Sequence, residues 1–198
     1  MSPFELVFAV YGLLLGLAIA EVLGGFSRTL KLKRGTRPVK IGWLTPLLGL
    51  LVILDLTSFW VIAWEVREQI AANYLTLIGV LSIVGIYYLA ATLIFPDAPE
   101  EWPDFDDWYD KQNRLVIGGL LAANVGTWIG HIGLEIAKPT PDAELAMTES
   151  EMVVVWVGLA VLALLVALLK VKSRRWNVAL LVTISALLLV FGIAEEFV

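Results

Sequence analysis

Six stretches of this chain, at 4–26, 41–64, 72–95, 114–136, 152–169 and 176–194, are each long and apolar enough to cross a bilayer. Inside hydrocarbon a backbone must satisfy its own polar groups, so such stretches fold as helices. The expected fold is all-α: one membrane domain, residues 1–198, with six transmembrane helices. Only 17% of the residues are charged, where a soluble domain carries about a quarter. The lipid bilayer is therefore the first expected partner. There is no cysteine, which excludes disulfides, thiolate metal sites and thiol catalysis. No basic patch interleaves with aromatic residues, so nucleic acid is not an expected partner.

The connections set the expected orientation. With both termini outside, the inward-facing connections hold twelve of the fourteen Lys and Arg: six from Arg28 to Lys40, then Lys111 and Arg114, then Lys170, Lys172, Arg174 and Arg175. Only Arg67 and Lys138 fall outside. Basic residues are retained on the cytoplasmic side, and this asymmetry follows that rule. Ala18-Ile19-Ala20 has the form of a signal-peptide cleavage site. The preceding MSPFE lacks any Lys or Arg and carries Glu5, so the first stretch is read as a retained span.

Two ridges of small residues recur at every fourth position. Gly12, Gly16, Ala20 and Gly24 lie on the first span, and Gly118, Ala122, Gly126 and Gly130 on the fourth. Small residues let helix backbones approach closely in lipid, so the first and fourth spans are expected to pack through these ridges. A shift of 106 residues superimposes the two ridges, and a long connection separates spans three and four. That arrangement is compatible with a 3+3 inverted repeat. The fifth span has no polar face and is expected at the lipid-facing rim or at a subunit contact, which leaves room for a homo-oligomer.

The connection at 96–113 is both acidic and aromatic. Trp102, Phe105, Trp108 and Tyr109 recur at helical spacing among seven Asp and Glu. Anionic lipid would repel it. It is expected on the cytoplasmic face, either docked on the basic connection Arg28 to Lys40 or recruiting a protein partner through its aromatics.

The run LLGLAIAEVLGG followed by basic residues, the Trp-flanked second span, YYLAATLIFPD, and the acidic-aromatic segment leading into Asn113 and Arg114 together resemble a group of uncharacterised bacterial multi-span inner-membrane proteins. The resemblance covers about the first two thirds of the chain. It implies a bacterial cytoplasmic membrane and a helical fold, and it brings no activity and no functional residues.

Charges inside the spans are the remaining clue. A carboxylate at mid-helix costs about 2.5 to 3.5 kcal/mol on insertion scales, so it turns inward and finds a partner. Asp55 is the deepest. Asn124, Thr127, His131 and Glu135 share one face of the fourth span. These five are the candidate ion or proton site, lining an outward-facing polar cavity with Glu135 at its mouth. Glu21 is expected to pair with Arg28 instead. The pair His131 and Glu135, at i and i+4, is too few ligands for a metal site on its own, since a zinc site needs about three. No catalytic triad, H-E-x-x-H, phosphate loop or dinucleotide fingerprint is present, and no cofactor is indicated. The sequence thus favours binding or passage of a small ion or proton. A non-catalytic scaffold and a metal-dependent membrane enzyme are the alternatives.

Overall fold

Each apolar stretch is a helix, and two of the helices run well past the hydrocarbon. A computed structural model describes residues 3–34, 39–137 and 149–194. The helices are α1 (Pro3–Lys33), α2 (Leu44–Glu65), α3 (Tyr74–Thr92), α4 (Phe105–Ala137), α5 (Glu149–Lys170) and α6 (Arg174–Ala194), with a short 3-10 turn at Pro99–Glu101. All six are long and apolar enough to cross a membrane. Among the described residues there is no strand.

With 31 and 33 residues, α1 and α4 reach about 46 and 50 Å at 1.5 Å per residue, against about 30 Å of hydrocarbon. Half of each expected loop is therefore helix. Ser27 to Lys33 continues α1, and Phe105 to Asn113 begins α4. Charged residues end a span without ending a helix, because the backbone stays satisfied by its own i to i−4 bonds in water as in lipid. Part of the basic connection (35–38), the connection at 138–148 and the last four residues, with Lys138, Glu195 and Glu196, lie outside the described residues.

The helices form a ring in the order α1, α3, α4, α5, α6, α2, and α2 leans inward to touch α3 and α4 as well. It is the most buried helix and α5 the least. The position of α5 at the rim, packed mainly against α4 and α6, fits its lack of a polar face. The core is built from Tyr11, Leu15, Ala18 and Val22 of α1, Leu48, Val52 and Leu56 of α2, Val84 and Tyr87 of α3, and Ile117, Leu120 and Ala123 of α4.

The expected packing of α1 on α4 is corrected by this order. The two share no extensive contact, and α3 lies between them. Nor do α4 and α6 repeat the close pairing of α1 with α3, so the packing lends the inverted repeat no support. A four-residue period identifies a face but not what lies opposite it. Along the ridges, Gly12 faces the Trp60 ring, Gly126 faces Ile83, and Gly16, Gly118 and Gly130 face open space. Other glycines make the close approaches. Gly25 receives the Phe95 ring, Gly119 faces Ala90, and Gly158 receives the Trp128 ring.

Candidate functional site

Midway along α2, Asp55 is 4% exposed. One carboxylate oxygen, Oδ2, accepts from the Tyr87 hydroxyl at 2.9 Å and from Asn124 Nδ2 at 2.9 Å. The same Asn124 amide lies 3.4 Å from the Tyr87 oxygen and donates to the Leu120 carbonyl at 3.0 Å. Three helices thus each send one polar side chain to a single point among apolar neighbours. Asp55 is at helix centre, where a carboxylate is costly unless hydrogen-bonded, and the donors of α3 and α4 answer that demand.

Of the five expected site residues, the structure joins Asp55 and Asn124 and separates the rest. Thr127 Oγ1 donates to the Ala123 carbonyl of its own helix at 2.9 Å. His131 is exposed. Glu135 accepts from Gln69 Nε2 of the α2–α3 connection at 2.7 Å. The missed partner is Tyr87. Near the end of its span it reads as a belt aromatic, yet it is 1% exposed, and a tyrosine buried at that depth must find an acceptor. Glu21 pairs with Arg28 at 2.9 Å, as its spacing suggests.

A cavity of about 630 Å³ opens between α1, α2, α3 and α4 toward the end at which α1 begins. Thr127 and His131 line it, and Asp55, Asn124 and Glu135 do not. Its walls are mostly apolar, so the expected polar chamber shared by all five residues is corrected to two sites: an apolar cavity and a closed carboxylate cluster beneath it. The layer between them is aromatic. Tyr11 and Phe59 both line the cavity, and the Tyr11 hydroxyl donates to the Phe59 carbonyl at 3.2 Å. Phe59 in turn packs on Tyr87 with ring centroids 5.6 Å apart.

At the opposite end of the bundle the acidic-aromatic segment is folded onto the protein. Lys40 N–H donates to the Pro103 carbonyl at 2.8 Å, and Phe105 N–H to the Lys40 carbonyl at 2.9 Å. Asp104 Oδ1 accepts from Asp106 N–H at 2.9 Å, capping α4, while Oδ2 receives Lys40 Nζ at 2.7 Å. Burial pushes the Asp104 carboxyl up, but the Lys40 ammonium and the Asp106 N–H outweigh it and hold the carboxyl below its ordinary value of 3.8. The same hydrogen bond raises Lys40. Docking on the basic connection therefore runs through Lys40, and a second basic turn adds to it. Arg174 of α6 grips both Asp107 and Asp110 at 2.6 Å.

The four aromatics expected to meet a partner all have contacts within the chain, with Trp102 and Trp108 half-buried. Phe105 and Tyr109 are each 1% exposed. Trp108 Nε1 donates to the Leu93 and Ile94 carbonyls at the end of α3, at 3.3 and 3.1 Å. Trp102 stacks edge-on against Trp108 and carries Lys111 over its face. An apolar ring at the membrane–water boundary finds more burial against its own bundle than in solution.

Among the described residues no three of His, Asp and Glu gather where they could hold a metal ion. Comparison with protein-family models, with curated proteins and with solved structures gives no match. What fold and composition define is a class: an all-helical protein with six helices of membrane-spanning length and apolarity, whose environment is a lipid bilayer.

Proposed function

We propose that the protein binds a small cation, a proton in the simplest case, at Asp55, and that the cavity above it is the approach. The observation that carries this reading is the convergence of Tyr87 and Asn124 on one oxygen of a carboxylate sequestered at mid-helix. Apolar side chains would join α2, α3 and α4 as well or better, since a buried polar contact is weak grounds for stability. An ionisable group at that depth is a functional candidate for this reason. The approach is short: a single aromatic layer, Tyr11 with Phe59, separates the cavity from the Tyr87 ring. By the asymmetry of Lys and Arg the cavity opens outward and the Asp104–Arg174 end faces the cytoplasm.

The scaffold reading rests on the half-buried Trp102 and Trp108, which also have contacts within the chain.

The test is proton flux into liposomes carrying the purified protein and an internal pH dye. Wild type is expected to relax an imposed pH gradient faster than protein-free vesicles. Asp55→Asn, close in shape and still able to accept from Tyr87, is expected to abolish the excess flux while retaining its melting transition. Relaxation by the wild type no faster than in empty vesicles, or unchanged flux in Asp55→Asn, would overturn the proposal.

A further inference from the structure

The cavity exists because side chains are missing from its walls. Gly79 of α3 and Gly126, Gly130 and Gly133 of α4 all line it. At Gly79, Gly130 and Gly133 an added Cβ would meet nothing within 4 Å. The space is about 630 Å³, inside the range of roughly 300–1,000 Å³ in which proteins bind small organic ligands. It is walled by helices of membrane-spanning length, so molecules dissolved in lipid are close at hand.

Its lining has a direction. Phe59, Ile83 and the Tyr11 ring line it toward mid-bundle. Gln69 and Asn73 of the α2–α3 connection and His131 stand near the end at which α1 begins. Among the described residues no Asp, Glu, Lys or Arg lines it. Glu135, held by Gln69 Nε2 at 2.7 Å, puts a carboxylate beside that end, so an anionic head group is disfavoured there, whereas an uncharged head can hydrogen-bond with the remaining polar groups. The hydrogen bonds at the bottom are already made, Tyr11 to Phe59 and Thr127 to Ala123. The deep end therefore suits a hydrocarbon tail.

We infer that the cavity is a binding site for an uncharged single-chain amphiphile, tail against the Tyr11–Phe59 floor and hydroxyl or amide head among Gln69, Asn73 and His131. This inference does not depend on proton binding at Asp55, and a bound tail would close the approach proposed for it.

The probe is palmityl alcohol bearing a diazirine near the end of its chain, photolysed with the intact protein in nanodiscs and mapped by peptide mass spectrometry. Labelling is expected to concentrate on cavity-lining segments of α1, α2, α3 and α4 and to be competed by unlabelled palmityl alcohol. Gly130→Leu combined with Gly133→Leu fills the space and is expected to cut that labelling at least tenfold, with the melting temperature held or raised. Gly79→Leu, which fills it from α3, provides the same readout should the double variant fail to fold. Palmitate carrying the same diazirine is expected to label several-fold less at a pH where it is ionised. Labelling spread evenly over the lipid-facing helices, labelling untouched by both filling variants, or equal labelling by palmitate would each overturn the assignment.

Discussion

Asp55, Tyr87 and Asn124 form one unit, and substitutions at them should behave as one. Tyr87→Phe removes a donor from a buried carboxylate and is expected to lower stability by about 1–3 kcal/mol. Asp55→Ala leaves both donors without their acceptor and should be clearly worse than Asp55→Asn, which keeps an oxygen in place. Thermal melting of the purified variants in one detergent checks the order. If Asp55→Ala melts at or above Asp55→Asn, the donors have found other acceptors and the unit is looser than its geometry implies. Two of the three residues are legible in the sequence because a carboxylate and an amide inside apolar runs stand out. Tyr87 is not, because a tyrosine near a span end is equally at home in an interfacial belt.

Glycine reads differently at the scale of the element. Gly42, just before α2, has φ +62, and an added Cβ would strike the Asp106 carboxylate. Gly42→Ala is expected to lose about 1–2 kcal/mol from the left-handed backbone alone, with displacement of Asp106 added to it. Gly25→Ala should push α1 away from the segment that follows α3, because the Phe95 ring lies directly against that glycine. Gly16→Ala and Gly118→Ala face open space and should be close to neutral. Melting of the four alanine variants separates glycines that pack from glycines that merely share their face. The period of four announced both ridges, and the neighbours α3 and α2, which no helix specifies about itself, decided which members matter.

The bundle as a whole is latched at one end by charge. Arg174 ties α6 to the first two turns of α4, and Lys40 ties the segment before α2 to Asp104. These pairs are partly exposed, so each is modest and screened by salt. Arg174→Ala is expected to lower the melting temperature by a few degrees in low salt and by less in high salt, which a melting series in sodium chloride would measure. Asp104 has a folded value held below its ordinary 3.8. Its stabilisation is therefore fully present above that value and fades as pH falls through the lower folded one. Lys40 is raised above 10.5, so its share persists below that value and fades only as pH rises through the raised one. Melting between pH 5 and pH 2 should show a loss, setting in below the ordinary carboxylate value, that Asp104→Asn reduces. An unaltered acid profile in that variant would mean the latch does not form in solution.

Composition and apolar run length determined that this chain is a six-helix membrane bundle, because hydrocarbon leaves a backbone few choices and each helix satisfies its bonds within itself. Depth along a span likewise exposed Asp55 as a group in need of partners. Only the tertiary structure decided which partners those are, that α3 stands between α1 and α4, and that glycines expected to seal a helix contact instead leave a cavity. Side-chain convergence is a property of neighbouring helices, and nothing local to one helix encodes what its neighbour brings.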